Sequence, residues 1–320
     1  MQKQNKISKG VITKIVMIVL FSALVLYTLI IIGTLCWGLL TSLKNYREFE
    51  NMGNVMGLPN LNADEPVNST AEFFQLANYQ IIWSNFNYKR TEPFYSGTMK
   101  IVHYCDADFV TMLVNTLLYT VGGAVIYAFM PALTAYLCAK YPYKLSKALF
   151  VIYLMMMSMP IVGNYPTELT FLRDTQLYDN ILGNYIQKMT GSGMYFFVYY
   201  AYFQGVSNTY REAAEIDGAS QTTIMFGIYF PLAIKMISTV FLIQFVNLWN
   251  DYQTPLMYLP THPTLAFGVY YVSYQALNPT FYHTPIRIAG CMMLAIPIII
   301  IFVIFKDRLM GDVSLGGIKE

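Results

Sequence analysis

Asn208–Leu232 reads NTYREAAEIDGASQTTIMFGIYFPL. Its first half is charged and rich in helix formers, and its second half is apolar. Asn208 or Thr209 offers a side-chain oxygen to a helix start. Thr209 with Glu212 has the capping-box spacing, in which each side chain satisfies a free backbone amide of the other. YREAAEID favours helix through its middle. Asp217-Gly218 ends it, because glycine supplies the left-handed backbone of a helix C-terminus. Ser220 is placed to cap a second helix that runs into the apolar half. The stretch predicts a helix–turn–helix elbow projecting Glu212, Glu215 and Asp217 from the foot of an apolar helix.

Outward from the elbow the chain is built for lipid. Of 320 residues, 56% are hydrophobic and 12% charged, about half the charged share of a soluble domain. A bilayer core needs roughly 20 mostly apolar residues per helix. Six segments qualify: Ile15–Leu40, Phe109–Ala139, Ala148–Tyr165, Ile181–Phe203, Met225–Trp249 and Pro285–Phe305. The expected fold is all-α, a polytopic membrane protein with six transmembrane helices. The first run is too long for a signal peptide and lacks a small-residue cleavage site, so it is kept as a span. In the fourth, TGSG (Thr190–Gly193) interrupts the apolar pattern, and Lys188, a further candidate for a polar path, is expected rather to snorkel to the outer surface. Pro131, Pro160, Pro231 and Pro297 read as kinks.

Lysine and arginine in short loops set orientation. Lys3, Lys6, Lys9 and Lys14 precede the first span; Lys140, Lys144 and Lys147 separate the second and third; Lys306, Arg308 and Lys319 follow the last. With six spans these segments share one side, so both termini and the elbow at 207–222 are cytoplasmic. The expected organisation is a tail at 1–14, a first span at 15–40 and an external loop at 41–108. A core of five spans follows at 109–305, with an external loop at 252–284, and a cytoplasmic tail at 306–320.

Enzyme chemistry finds no support in the sequence. No nucleophile–base constellation is visible, and the four cysteines (Cys36, Cys105, Cys138 and Cys291) lack metal-site spacing. The chain contains no G-x-x-x-x-G-K-[ST] pattern, so ATP hydrolysis by this chain is not expected. Polar residues in the spans stand out instead, because they are costly in lipid and usually face a cavity. Gln244 and Asn247 share a helix face near Trp249, Asn250, Asp251 and Tyr252. Asn115 and Tyr119 lie four residues apart on the second span. Hydrogen bonding between helices is the competing role for these polar residues, and an interface belt for Trp249.

REAAEIDGASQTTIMFGIYFPL closely resembles the EAA motif of permease subunits of bacterial ABC importers, in particular the carbohydrate type related to maltose transport. Glu212, Ala213, Ala214, Asp217, Gly218, Ala219 and Pro231 fill the motif's places. NYQIIWSNF, VNTLLYT, LWNDYQTPLMYLPTHPTLAFGV and the tail LMGDVSLGGIKE extend the likeness from about Tyr79 onward. Lys235 stands near the place of a second proline, and GVSNTY replaces the Ile-Pro that usually precedes the motif. The resemblance implies a transport subunit of the bacterial cytoplasmic membrane with no cofactor of its own. ATP and Mg would be used by a separate cytoplasmic ATPase dimer, into which the elbow seats through Glu212, Ala213, Ala214, Asp217, Gly218 and Ala219. It implies a second homologous permease subunit and an extracytoplasmic solute-binding protein as further partners. Gln244, Asn247, Asn115 and Tyr119 become candidates for the path of a sugar or oligosaccharide. The alternatives are an amino-acid or peptide importer, a secondary transporter or channel, and a membrane scaffold or sensor.

Overall fold

The structure, a computed structural model, describes residues 2–50, 53–59, 76–96, 99–141, 143–159, 163, 165–189, 193–274 and 279–310. In chain order its elements are α1 (Gln2–Ser42), α2 (Tyr46–Glu50), α3 (Ala77–Asn85), β1 (Tyr88–Ser96), β2 (Met99–Ala107), α4 (Phe109–Leu117), α5 (Gly123–Lys140) and α6 (Lys144–Ser158). There follow α7 (Tyr165–Asp174), α8 (Ile181–Met189), α9 (Gly193–Gly205), α10 (Thr209–Ile216), α11 (Gln221–Ile224), α12 (Phe230–Trp249), α13 (Gln253–Tyr258), α14 (Leu265–Tyr274) and α15 (Thr284–Met310). Two π-helical turns, Leu118–Gly122 and Met225–Tyr229, join α4 to α5 and α11 to α12 as continuous rods.

Four helices among the described residues are long and apolar enough to cross a membrane: Thr13–Ser42, Phe109–Lys140, Gln221–Trp249 and Thr284–Phe305. They correspond to the first, second, fifth and sixth expected spans. The third and fourth differ from expectation. Instead of running to Tyr165, α6 stops at Ser158, and its 15 residues reach about 22 Å at 1.5 Å per residue. Met159, the residue before Pro160, is extended at φ −85° and ψ 121°, as the steric demand of a following proline requires. Ile181–Phe203 is not one helix but two, α8 and α9. Of the TGSG stretch between them, residues 190–192 lie outside the described residues.

The fold is also not purely α. β1 and β2 pair as an antiparallel hairpin, with Tyr88 opposite Ala107 and Ser96 opposite Met99. At its base Tyr88, Cys105 and Ala107 are buried while Lys89, Tyr104 and Asp106 are exposed, the period-two pattern of a strand with one covered face. Lys89 and Asp106, directly opposite, form an exposed ion pair at 3.1 Å.

The chain divides into two compact units, Met1–Ser84 with Gln275–Met293, and Asn85–Tyr274 with Leu294–Glu320. In the first, the most apolar window of α1 has none of its residues buried by the protein. Its C-terminal end is tied down by polar contacts. Asn78 donates to the carbonyls of Ser42 and Lys44, each at 2.8 Å, and Lys44 Nζ donates to the Asn54 carbonyl at 2.8 Å. Glu50 caps the start of α15: Oε1 accepts the Thr284 amide at 2.9 Å and Oε2 lies 2.9 Å from His283 Nδ1, with Tyr46 stacked on that imidazole at 4.0 Å. Pro285 in the first turn fits a helix start, where no partner for its missing amide is needed.

The second unit holds the main core. Ala128, Ala132 and Ala135 line one face of α5 and are fully or almost fully buried. Small residues let helices approach closely in lipid, where packing rather than water exclusion drives association. Against this face lie Phe196, Tyr199 and Phe203 of α9 and Tyr229, Phe230 and Ala233 on the rod of α12, with Tyr136 at the centre. The ring centroids of Tyr136 and Tyr229 are 5.1 Å apart, and those of Tyr136 and Phe203 5.5 Å. Gly122, in the first π turn, is needed for close approach, since a Cβ there would stand 2.2 Å from the Tyr185 hydroxyl.

Candidate functional site

The elbow forms, with α10 and α11 joined by a tight turn at 217–220. It ends as a Schellman turn: the Gly218 amide donates to the Glu215 carbonyl at 3.1 Å and the Ala219 amide to the Ala214 carbonyl at 2.9 Å. Gly218 has φ +79°, a conformation that costs other L-residues roughly 1–2 kcal/mol. Ser220 caps α11 by accepting the Thr223 amide at 3.2 Å. The expected capping box does not form. Asn208 takes the cap position without a side-chain bond to the helix amides, and the Thr209 amide donates to Ser207 Oγ instead.

The elbow is fixed from behind and open in front. Lys140, at the end of α5, donates to the Val206 carbonyl after α9 at 2.5 Å and to Asn208 Oδ1 at 3.0 Å. Arg211 returns a bond to the Lys140 carbonyl at 2.9 Å and pairs with Glu215 at 3.4 Å. Tyr141 donates to Gln221 Oε1, whose amide nitrogen donates to Glu215 at 3.0 Å. The ends of α5 and α9 and both elbow helices thus meet in one polar knot. Away from that knot Glu212, Ala213, Asp217 and Gly218 are exposed and Ile216 is 86% exposed, whereas Ala214 and Ala219 are half-buried and pack against the core formed by α5, α9 and α12.

A second polar cluster gathers where α12 ends. Lys188 does not snorkel: its side chain is buried, and Nζ donates to Asn184 Oδ1 at 2.7 Å and to the Tyr119 hydroxyl at 3.2 Å. Tyr119 donates onward to Asp251 Oδ2 at 2.6 Å, while Asp251 Oδ1 accepts the Thr254 amide at 3.1 Å. In the other direction Asn184 donates to Gln187, Gln187 to Glu168 at 2.7 Å, and Tyr258 to the same carboxylate at 2.9 Å. A phenol therefore bridges the Lys188 ammonium and the Asp251 carboxylate, and the chain of bonds links α7, α8, α12 and α13 to the π turn holding Tyr119. Nearby, Asp179 accepts the Thr261 amide and hydroxyl at 3.0 and 2.7 Å. Fully satisfied buried networks of this kind fix helix positions. Lys188 and Asn184 are legible four residues apart on one helix; Glu168 and Asp179 carry no comparable signal in the sequence.

The four path candidates separate into two pairs. Tyr119 is committed to the network, and Asn115 is buried and donates to the Pro263 carbonyl at 3.2 Å. Gln244 is half-buried and Asn247 exposed. Trp249 is buried, its indole donating to the Leu294 carbonyl at 3.1 Å.

Residues 131–311 match the family described as "Binding-protein-dependent transport system inner membrane component". The chain is 24% identical over 215 residues to the melibiose/raffinose/stachyose import permease protein MelC of Bacillus subtilis (strain 168), covering 67% of this chain and 77% of that protein. It is 21% identical over 309 residues to the diacetylchitobiose uptake system permease protein NgcG of Streptomyces coelicolor, covering 92% and 87%. Among solved structures, a chain of a bacterial ABC transporter involved in the import of the acidic polysaccharide alginate superposes with a TM-score of 0.69. That alignment has 20% identity and covers 92% of this chain and 96% of the other, a likeness of fold.

Proposed function

We propose, because this chain belongs to the family of binding-protein-dependent transport system inner membrane components, that it is the permease subunit of an ATP-driven sugar importer. It is a multi-pass inner-membrane protein and a transport subunit rather than an enzyme. The cargo is a sugar or oligosaccharide, as the names of MelC and NgcG give for their own systems, and an external binding protein hands it over, in keeping with the family's description. The four long helices together with α6 and the α8–α9 pair make six spans, with both termini and the elbow cytoplasmic. A second permease subunit completes the path, and ATP and Mg act on a separate ATPase dimer.

The observation that most supports this reading is the elbow, rigid behind and bare in front. Glu212, Ala213, Ala214, Asp217, Gly218 and Ala219 form the coupling surface. Small alanines permit close approach, and the carboxylates suit a basic cleft on the ATPase. Nucleotide-driven closure of that partner moves the elbow, which favours the outward-facing state by the difference in binding free energy between two conformations. The test is uptake by the reconstituted complex. Gly218→Pro and Glu212→Lys are expected to abolish transport while the chain still inserts and purifies. Unchanged uptake in both variants removes the coupling assignment.

A further inference from the structure

Two rods run through the second unit, Phe109–Lys140 by way of α4 and α5, and Gln221–Trp249 by way of α11 and α12. Between them the packing is smooth: Ala128, Ala132 and Ala135 of the first share one apolar core with Tyr229, Phe230 and Ala233 of the second. Apolar contact has no direction, so it resists separation of two helices better than it resists their sliding. Hydrogen bonds join the rods near their two ends. At the elbow end Tyr141 donates to Gln221. At the far end the Tyr119 hydroxyl gives its one proton to Asp251, two residues past α12, at 2.6 Å, and receives Lys188 Nζ of α8 at 3.2 Å. Tyr119 and Lys140 are roughly 30 Å apart along the first rod at 1.5 Å per residue, the thickness of a bilayer core.

The far tie is closely built. A Cβ at Gly123 of α5 would stand 2.8 Å from Leu248 Cδ1 of α12 and 3.0 Å from Lys188 Cε, so three helices meet at one bare stretch of backbone. Lys188 Nζ also lies 4.3 Å from the ring centroid of Tyr119 and 6.0 Å from that of Tyr127 on α5, within reach of a cation–π attraction. The cation thus touches the first rod directly and the second through the phenol. Charges are a costly means of holding helices together. A buried ion pair often stabilises no better than apolar side chains of the same volume, and its best attested use is to set register. The phenol sharpens that use. A hydroxyl that donates to one charge and accepts from the other fits one axial offset of the rods. A slide by one turn, about 5.4 Å, breaks the bridge and strands both charges.

We propose that Lys188, Tyr119 and Asp251 are positioning residues for transport, a register clamp that carries motion of the elbow along both rods to the far side of the membrane instead of losing it as slippage between helices. The inference rests on the importer reading above. The measurement is sugar taken up per ATP hydrolysed by the full complex in liposomes, with its binding protein and radiolabelled raffinose, maltotriose or diacetylchitobiose. Tyr119→Phe keeps the ring and removes the bridge. It is expected to lower this ratio roughly 3- to 10-fold, the range of one lost buried hydrogen bond, while ATP hydrolysis continues. Lys188→Met combined with Asp251→Leu, which leaves neither charge stranded, is expected to lower it as far. Thr261→Val, which removes a hydroxyl bond to Asp179 that involves neither rod, is expected to leave the ratio unchanged. A wild-type ratio in both Tyr119→Phe and the double variant overturns the clamp and leaves the importer reading standing. An equal fall in Thr261→Val also overturns it, because the loss is then a general loosening. So does a fall in Tyr119→Phe that vanishes at saturating sugar, because Tyr119 then touches the cargo. Uptake by the wild-type complex without ATP consumption removes the importer reading, and the clamp with it.

Discussion

Cys105 stands on β2 with its side chain buried, and burial, reinforced by the carboxylates of Asp179 and Asp106, pushes its thiol up to about 11. The thiolate is the reactive species, and at pH 7 only about one part in 10⁴ of such a thiol is ionised. Cys105 is therefore expected to resist alkylation by a soluble maleimide in the folded protein and to react once the protein is denatured, as read by peptide mass spectrometry. Rapid labelling under native conditions would show that the hairpin base is not packed this way. Single residues differed in how plainly the sequence announced them. Gly218 was readable, because Asp-Gly-Ala after a helical run leaves the backbone few alternatives to a left-handed stop. Lys188 was not, because its burial depends on Tyr119, which lies 69 residues away in the chain.

Among the elements, α15 begins in a way that depends on pH. Burial alone would push the Glu50 carboxyl up, but the Thr284 amide and His283 outweigh it and hold the group below the ordinary glutamate value. A carboxyl lowered by folding adds stability that is complete above its unfolded pKa, about 4.3, and is lost as pH falls through the folded value. Protection of the Thr284 amide from hydrogen exchange, corrected for intrinsic rates, is expected to hold above pH 5 and to fall below pH 4. Glu50→Ala is expected to cost about 1 kcal/mol of local stability, as lost helix caps do, and to remove this pH dependence. The long apolar helices were legible because each carries its own signal over many residues. The stop after Ser158 was harder, since Met159, Ile161 and Val162 keep the composition apolar beyond it, whereas TGSG, between α8 and α9, stood out as an interruption. The hairpin was missed because a segment of mixed charge before the second span reads as an irregular loop. Yet β-branched and aromatic residues flank Gly97-Thr98, a pattern that marks a two-residue hairpin connection. The capping box failed for a local reason, as Ser207 reached the Thr209 amide first.

At the scale of the whole molecule the proposed arrangement of six spans is open to a direct test. Single cysteines introduced at Lys144 and Asp217 in a cysteine-free background are expected to react with an impermeant reagent only when the cytoplasmic side is opened. A cysteine at Lys89 is expected to react from the outside of intact spheroplasts. Asp217 and Lys89 labelled from the same side would remove the six-span orientation and leave only the helices themselves. The test discriminates because α6 and the α8–α9 pair, the two proposed spans without a single long rod, decide whether the elbow and the hairpin face opposite compartments.

The polar knot at Lys140 has a mechanical corollary. One ammonium group clasps the stops of two rods and the start of a third, so a shove against the exposed joint finds no slack there to absorb it. Under the proposed coupling, force applied there would reach several shafts at once, and the permease is expected to shift as one body rather than helix by helix.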